Sequence, residues 1–556
     1  MTARALVVGL DGADRDLVGA LGPEVTPTLH ALMQRGAHAA LRSVQPPATL
    51  PNWTTFLTGV GPGKHGVFDF TTRDRGRVRF TAGTVREAST IFARLDRLGL
   101  ACACVGFPAT WPPERLQHGV FLSGWDAPVA FEADRSFVWP PALYDAIVER
   151  FGAPRFDDVD EFDAGAPGWY EALPGALVER IGRKADLAEW LLRGRAWDAF
   201  AFYFGESDTA GHHLWAHHDP RSPRHAGVPP DADRAGIARV YRALDEALAR
   251  LLEAAGPETE VTVVSDHGFG GAGDKVLYLN RALAEAGLLG FHPHRRRGAL
   301  IGAAKDWALT GLPPRLRERV FRFGGAALPS WLETQARFGG IDFEQTVAFS
   351  DELNYFPAVW LNLEGRERRG IVSPAQRAAV TREVSAALRS LRDPWTGAAV
   401  VAEVWPREEL YEGPWVERAP DLILRLHLDR GYSYNLMPSA TAPPGTGPWR
   451  RLDVAEHLGR KGRSLPGSHR ERGLFVAAGP RVAPIGEVDA AMADVPATLL
   501  ARLNVAVPPD ADGRVLWELL CGDGARPQPL PSAPVVRGAG DEARVEARLR
   551  ALGYID

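Results

Sequence analysis

ALVVGLDG, residues 5–12, has the pattern of a buried strand that ends at a polar loop, with Asp11 and Gly12 after the apolar run. Comparable apolar runs are ACACVGFP (101–108), AFAFYFG (199–205) and EVTVVSDHG (260–268). Runs that are apolar at nearly every position are typical of parallel strands covered on both faces. Helical patterns alternate with them, as in residues 27–36 and 169–194. The sequence therefore predicts an α/β fold with a mostly parallel central sheet and helices on both faces.

The composition is that of an ordinary globular protein. Hydrophobic residues make up 45% of the 556 residues and charged residues 24%, so disorder is not expected. The net charge of −5 gives no basic surface for nucleic acid. No apolar stretch approaches the roughly 20 residues that span a bilayer, and the N-terminus lacks the pattern of a signal peptide. We therefore expect a cytoplasmic protein that acts on a small molecule, and the oligomeric state stays open.

Two segments interrupt the α/β pattern. Residues 286–345 are rich in Arg, Gly and Pro, which predicts a helical basic insertion or cap; a solvated basic face is an equally good interpretation. Residues 109–168 are rich in Pro, Asp and Trp and predict a loop that lines a pocket. Strand patterns resume at VWLNLEGR (359–366), PDLILRL (420–426) and GLFVAAGP (473–480), and a closing helix follows at 494–505. The predicted core is therefore residues 1–285 and 346–530, with a tail helix in 531–556.

Acidic and histidine residues follow several of the predicted strands. They are Asp11, Asp208, His212, Asp266, His267 and His469. In an open α/β sheet such positions lie together beyond the carboxyl ends of the strands. A single residue of this kind is more commonly a helix cap or a chance occurrence than a metal ligand. Together they predict a metal site, and mixed His and Asp ligands suit zinc, with manganese or iron as alternatives.

The stretch PPATLPNWTTFLTGVGPGKHGVFDF, residues 46–70, contains two motifs. The first is Thr49 followed by Leu-Pro-Asn, and the second is TGVGPGKHG (58–66). Further motifs occur in order along the chain: LDG (10–12), ESDTAGH (206–212), SDHG (265–268) and GSHR (467–470). This set resembles the type I phosphodiesterase/nucleotide pyrophosphatase branch of the alkaline phosphatase superfamily. The resemblance spans most of the chain and is poorest in the two insertions. It implies an alkaline-phosphatase-like fold with an inserted cap.

The resemblance also implies a division of roles. Thr49 would be the nucleophile that takes up a phosphoryl group, beside two divalent metal ions. One ion would be held by Asp208, His212 and His469, and the other by Asp11, Asp266, His267 and Thr49. Metal coordination is one way to activate a hydroxyl, and two ions can stabilise both oxygens of an in-line displacement. Thr49 also fits the N-cap of a helix that begins near Pro51, which is compatible because a helix N-terminus suits a phosphate.

Candidate substrate contacts surround this motif. We expect the backbone N–H of Leu50 and the side chain of Asn52 to donate to a phosphoryl oxygen. Arg366, Asn362 and Arg470 are candidate phosphate or leaving-group contacts that could equally be surface residues. The family has an Asn shortly after the HG of its motif, whereas this chain has HGVFDF with Asp69. An anionic Asp69 would repel a phosphate unless it pairs with Lys64 or a metal, which argues against a nucleotide diester but not against the metal chemistry.

The sequence thus predicts a metal-dependent phosphoric ester hydrolase, a phosphodiesterase or phosphatase, that passes through a phosphothreonine. A phosphomutase of the same superfamily is the alternative, because residues 286–345 could form a lid that excludes water. A non-catalytic binding protein is disfavoured because Thr49 and all six candidate ligands are present together. No C/S-x-P-x-R segment stands where Thr49 does, which argues against a sulfatase.

Overall fold

In the computed structural model, the described residues are 3–74, 77–124, 134–152, 166–292, 338, 340–352, 356–443, 445–459, 464–521, 538 and 540–551. Most of the predicted cap (293–337) and parts of the predicted pocket loop (125–133 and 153–165) lie outside them. The strands are β1 Ala3–Leu10, β2 Ala37–Arg42, β3 Thr71–Asp74, β4 Arg77–Phe80, β5 Cys102–Val105, β6 Val120–Leu122, β7 Val138–Trp139, β8 Trp197–Phe204, β9 Glu260–Val264, β10 Gly268–Leu277, β11 Gly290–Phe291, β12 Ile341–Asp342, β13 Ala348–Phe349, β14 Ala358–Leu361, β15 Val401–Pro406, β16 Leu422–Leu426, β17 Ser433–Leu436, β18 Trp449–Arg451, β19 Gly467–Arg470, β20 Arg472–Ala478 and β21 Gly486–Glu487.

The α-helices cover the sheets and occur throughout the described ranges. They are α1 Arg15–Leu21, α2 Pro27–Arg35, α3 Thr49–Thr58, α4 Pro62–His65, α5 Ile91–Arg97, α6 Pro141–Phe151, α7 Trp169–Gly194, α8 Glu206–His218, α9 Gly236–Ala255, α10 Leu279–Glu285, α11 Arg377–Arg389, α12 Arg407–Leu410, α13 Asp494–Arg502 and α14 Asp541–Ala551. α7 coincides with the helical pattern at 169–194, and α14 falls inside the predicted tail helix. None of the helices in the described ranges is long and apolar enough to cross a membrane.

The central sheet has the strand order β21-β2-β20-β9-β1-β8-β5-β6-β7 within the described residues. Neighbours from β9 to β6 run parallel, while β20 is antiparallel to both β9 and β2. The prediction of a mostly parallel sheet is confirmed. Because β9, β1 and β8 are adjacent and parallel, the loops after them meet at one edge of the sheet, which is where ligands gather in such folds.

Helices pack on both faces of this sheet, as predicted. Alternate residues of a strand point to opposite faces, and β1 shows this directly. Leu6 and Val8 belong to a core that also contains residues of α1, α2, α7 and α9. Ala5 and Val7 belong to a second core with residues of α3, α5 and α13. The sheet is therefore buried on both sides, which explains why its strands are apolar at nearly every position.

A second set of strands forms smaller sheets. One is antiparallel, with the order β13-β14-β16-β15, and another pairs β10 with β17, β18 and β19. The strand patterns at 359–366 and 420–426 therefore belong to a separate sheet, while 473–480 contributes β20 to the central one. A strand pattern shows which side chains are buried but not which sheet they join, so the sequence could not divide the range 346–530 in this way.

Candidate active site

The six candidate metal ligands converge at one edge of the central sheet. Asp11 follows β1, Asp208 lies in the first turn of α8 after β8, and Asp266 and His267 lie between β9 and β10. His469 comes from a more distant element: β19 pairs antiparallel with β10, and this register sets His469 opposite Phe269. The convergence follows from strand order, since β9, β1 and β8 are neighbours.

Asp208, His212 and His469 form one group of donor atoms. Asp208 Oδ1 lies 3.4 Å from His212 Nε2 and 3.3 Å from His469 Nε2. The two imidazole Nε2 atoms are 3.0 Å apart. Four ligands at zinc-like bond lengths of about 2.0 Å place donor atoms about 3.3 Å from one another. The spacing of this group therefore fits a single small cation.

Asp11, Asp266 and His267 form the second group. His267 Nε2 lies 3.4 Å from Asp11 Oδ1 and 3.3 Å from Asp266 Oδ2. The same nitrogen is 3.9 Å from Asp208 Oδ1, so His267 stands between the two groups. Ligand atoms of Asp11, Asp266 and His267 lie within 4.8 Å of one another, and so do those of Asp208, His267 and His469. The arrangement is two adjoining sets of ligands rather than one.

The hydrogen bonds of the three histidines fix which nitrogen faces the site. Nδ1 of His212 donates to Gly467 O at 3.1 Å, Nδ1 of His267 to Gly268 O at 3.0 Å, and Nδ1 of His469 to Pro47 O at 3.0 Å. A carbonyl only accepts, so Nδ1 carries the proton and Nε2 presents a lone pair. This is how metal-binding histidines are held by their surroundings.

The carboxylates give a second test of fit. Three buried oxygens accept no hydrogen bond from any described residue: Asp11 Oδ1, Asp208 Oδ1 and Asp266 Oδ2. Buried carboxylate oxygens without a hydrogen-bond donor are costly, and each of the three lies 3.3 or 3.4 Å from an imidazole Nε2 atom. Imidazole Nε2 atoms and carboxylate oxygens that face one another at these distances are the donor set that a divalent cation requires, so the residues present fit the implied metals.

The pKa values of three candidate ligands are shifted by the negative charge of the site and by burial. Burial would lower the pKa of His267, but Asp266, Asp11 and Asp208 raise it to about 10. Burial and the neighbouring Asp11 charge raise the pKa of Asp266 well above its usual range. Burial and the His267 charge lower the pKa of His469 to about 3. The carboxylates around His267 therefore favour a positive charge at this position, which a divalent cation would supply.

Gly12 allows the close approach of β1 and α8. Its φ of +63° lies in the left-handed region, which favours glycine. A Cβ at this position would lie 3.2 Å from the Cα of Asp208 and 2.9 Å from the Phe269 ring. The Gly12 N–H donates to Asp266 Oδ1 at 3.1 Å. Gly12 therefore lets the two ligand groups meet and orients one of their carboxylates.

Asp11 is oriented by two residues that sequence reasoning missed. Trp53 Nε1 donates to Asp11 Oδ2 at 2.9 Å, and the Tyr203 hydroxyl donates to the same oxygen at 2.6 Å. Both bonds turn Oδ1 toward His267. A signal was present in the sequence, because Trp53 lies four residues after Thr49 and therefore on the same side of a helix. Tyr203 gave no such signal beyond being a polar residue in an apolar strand.

We expect the substitution Tyr203→Phe to weaken binding of the metal held by Asp11, Asp266 and His267 by about 10- to 100-fold, as is usual for residues that support a ligand. Tyr434→Phe is the matched control, because the Tyr434 hydroxyl on β17, outside the central sheet, donates to Asp393 at 2.9 Å. Competition with a chromogenic chelator measures both affinities. Equal affinities in the two variants would show that the hydroxyl of Tyr203 does not support the ligand.

The turn that carries Asp208 is anchored by a buried ion-pair cluster. Glu206 begins α8 and receives Arg180 Nε and Lys184 Nζ, each at 2.8 Å from its Oε1. Both basic residues come from α7 and are buried. Removing one partner of a buried pair is costly because the other charge is left unpaired. The cluster therefore fixes the first turn of α8 against α7, two residues from a candidate ligand.

Thr49 opens α3, and its side chain faces the metal ligands. The N-cap of α3 is Ala48, and Thr49 is the first helical residue, with no side-chain capping bond at this end. The N-cap interpretation of Thr49 is therefore wrong. Thr49 Oγ1 lies 3.4 Å from His267 Nε2. The N–H of Leu50 is among the first helical donors, which have no partner within a helix, so its predicted role as a donor is compatible with the structure.

The predicted substrate contacts other than Leu50 are engaged elsewhere. Asn52 is fully buried, and its amide binds the backbone of the loop before Thr49. Lys64 donates to Asp510 O at 3.0 Å and pairs with Asp512, not with Asp69. The donors of both side chains already bind protein acceptors, so these contacts give no support to a substrate role for either residue, and that role stays a prediction.

The other candidate substrate contacts, Arg366, Asn362 and Arg470, also form hydrogen bonds to protein groups. Arg366 pairs with Asp421 at 2.5 Å and donates to Leu361 O at 2.6 Å, beside the sheet formed by β13, β14, β16 and β15. Asn362 donates to Phe343 O and Thr346 O, each at 2.8 Å. Arg470 follows His469, but its guanidinium binds Gly271 O at 2.8 Å and Ser433 Oγ at 2.6 Å. These bonds hold backbone in place, and the expectation that these residues bind substrate has no support in their contacts.

Comparison with known proteins identifies the family to which this chain belongs. The fold and site define a class of protein: an α/β protein with carboxylate and imidazole groups at the carboxyl edge of a parallel sheet. The family model described as type I phosphodiesterase / nucleotide pyrophosphatase matches residues 5–446. The chain belongs to that family, which confirms the resemblance. Comparison with curated protein sequences gave no match.

Solved structures of ectonucleotide pyrophosphatase/phosphodiesterase 5 are similar to this chain at low identity. A murine structure of an inactive variant in complex with AMP is 16% identical, covers 93% of this chain and 100% of that chain, and has a TM-score of 0.49. The human protein gives 16% identity, 93% and 99% coverage and a TM-score of 0.48.

Proposed function

We propose that this protein hydrolyses phosphoric esters, with Thr49 as nucleophile and two divalent metal ions as cofactors. The observation that carries the proposal is the position of Thr49 Oγ1, 3.4 Å from His267 Nε2, at the start of a helix and beside two adjoining ligand sets. Family membership supports phosphoester hydrolysis in general. The nucleophile, the metals and their identity are our proposal from the site.

Asp208, His212 and His469 would hold one ion, and Asp11, Asp266, His267 and Thr49 the other. Divalent ions bound there would lower the pKa of the Thr49 hydroxyl and offset the charge of the phosphoryl oxygens. The donor set suits zinc, with manganese or iron as alternatives. The N–H groups at the start of α3 would donate to a phosphoryl oxygen, as helix N-termini do.

The chemistry consists of two displacements. Thr49 Oγ forms a bond to phosphorus while the bond to the leaving oxygen breaks, and the hydroxyl proton passes to solvent. The leaving oxygen departs with the electron pair and is protonated as an alcohol. Water then attacks the phosphothreonine: its oxygen bonds to phosphorus while the bond from phosphorus to Thr49 Oγ breaks. The water gives up a proton, and Thr49 Oγ takes one up to become a hydroxyl again. The net reaction consumes one ester and one water and gives an alcohol and the acid product.

A screen of nitrophenyl esters tests this function. With zinc or manganese present, we expect the protein to release nitrophenol from bis(nitrophenyl) phosphate, nitrophenyl phosphate or both, with multiple turnovers per enzyme molecule. The ratio of the two kcat/KM values assigns the enzyme to diesters or monoesters. Release that does not exceed that of the Thr49→Ala variant for either ester would contradict the proposal.

No described residue favours a phosphomutase over a hydrolase. That alternative rested on residues 286–345 as a lid, and most of this range lies outside the described residues. A mutase would release little phosphate from a simple nitrophenyl ester, so the same screen separates the two. The cytoplasmic location and the cap at 286–345 stay predictions.

A further inference from the structure

The loop Ser43–Ala48, which precedes Thr49, is held by one side chain of α3. Asn52 Oδ1 accepts from Val44 N at 2.7 Å, and Asn52 Nδ2 donates to Ala48 O at 2.9 Å. The same nitrogen lies 3.2 Å from Pro46 O and 3.4 Å from Val44 O. An amide is the side chain that can both donate and accept in this way. Asn52 thus binds the loop at both ends and in the middle.

The need for such a side chain follows from the loop sequence. Pro46 and Pro47 have no N–H, so this part of the loop cannot form a regular backbone ladder. Its carbonyls require donors because buried polar groups without partners are costly. The Asn52 amide is the α3 side chain that donates to these carbonyls, at Val44, Pro46 and Ala48, and it lies three residues after Thr49. The loop and the start of the helix therefore form one unit.

This unit is also bonded to the metal ligands. Ser43 Oγ donates to Asp266 O at 2.7 Å, and Nδ1 of His469 donates to Pro47 O at 3.0 Å. The loop therefore contacts one member of each ligand group. A displacement of the loop would move Thr49 relative to both groups, because only Ala48 separates Pro47 from Thr49.

We propose that Asn52 is a positioning residue, which holds the loop Ser43–Ala48 so that Thr49 Oγ reaches the metal ligands. Asn52 does not contact the substrate itself. The proposal rests on the proposed function of Thr49. It predicts that removal of the Asn52 amide disturbs the nucleophile more than it disturbs the fold.

Asn280→Ala provides a matched control. Asn280 lies on α10 and is also fully buried; its Oδ1 accepts from Ser350 N at 2.7 Å and its Nδ2 donates to Ser350 O at 2.9 Å. Each variant therefore removes a buried helix amide that both donates to and accepts from loop backbone. We expect similar decreases in Tm for Asn52→Ala and Asn280→Ala. Only Asn52→Ala should lose turnover, by about 100-fold in kcat, the effect of a misplaced reacting group.

Cobalt(II) in place of the native metal gives a readout that does not depend on turnover, because its absorption reports its ligands. We expect Thr49→Ala and Asn52→Ala to change the spectrum of the protein in the same direction, with two ions still bound. Asn280→Ala should leave the spectrum of the wild type. A wild-type spectrum and a wild-type kcat in Asn52→Ala would overturn the positioning role.

The two proposals fail in different ways. If Thr49→Ala leaves the cobalt spectrum unchanged, Thr49 is not a ligand and that part of the proposed function is lost; the kcat of Asn52→Ala relative to Asn280→Ala then decides the positioning role. If Asn52→Ala does not fold, Ser43→Ala replaces it, because this change removes the bond from the loop to Asp266 O. A lower kcat in Ser43→Ala supports the proposal, and a wild-type kcat overturns it.

Discussion

Replacing Thr49 by Ala should lower turnover by about 10³- to 10⁶-fold, the range seen when a nucleophile is removed from an enzyme. The physical reason is the loss of the only side-chain oxygen that α3 presents to His267, at 3.4 Å. Since Thr49 makes no capping bond, the fold and the bound metal should be retained. Steady-state kinetics, a thermal melt and a metal count measure the three effects.

Two further variants control this experiment. Thr49→Ser keeps an oxygen in nearly the same place and should retain measurable turnover. Thr58→Ala removes a buried threonine hydroxyl at the other end of the same helix, where it donates to Thr54 O at 2.7 Å, and should keep wild-type turnover. Near wild-type turnover in Thr49→Ala would show that water attacks phosphorus directly.

Removal of the metals should reduce activity to the uncatalysed background, and zinc or manganese should restore it. Without cations, Asp11, Asp208 and Asp266 keep buried oxygens that accept no hydrogen bond from a described residue. Asp266, Asp11 and Asp208 also raise the pKa of His267 to about 10 against the effect of burial, so these carboxylates favour a positive charge in the site. Full activity after exhaustive chelation, confirmed by elemental analysis, would exclude the two-metal mechanism.

A pair of histidine variants on α8 tests the metal sites separately. His212→Ala removes a nitrogen that lies 3.4 Å from Asp208 Oδ1 and should lower the metal content from two ions toward one. His217→Ala is the control, because His217 is buried on the same helix but packs on the Tyr170 ring at 5.2 Å. Equal metal contents in the two variants would exclude His212 as a ligand.

The strands and the convergence of the metal ligands could be predicted from sequence because both depend on local pattern. Apolar runs show parallel strands covered on both faces, and polar residues after such strands meet at one edge whatever the loops do. Asp11 and Asp266 are 255 positions apart, yet adjacency of β1 and β9 places their carboxylates together. The family motifs added the division of these residues into two groups.

The roles of Asn52 and Lys64 could not be predicted because they depend on where the backbone turns. The Asn52 amide binds carbonyls of a loop whose path is set by two prolines, and the Lys64 ammonium meets Asp512, a residue distant in sequence. Tyr203 was missed for a related reason. Its hydroxyl reaches Asp11 only because β8 pairs with β1 in the register that sets Tyr203 opposite Gly9.

Rapid acid quenching tests the central claim most directly. The wild-type enzyme is mixed with a phosphorus-labelled ester substrate, denatured in acid within one turnover, and digested, and the peptides are analysed for covalent phosphate. The account predicts phosphothreonine at Thr49, formed at a rate no slower than turnover and absent from the Thr49→Ala variant. An enzyme that turns over with no phosphate on the Thr49 peptide at any quench time would contradict it.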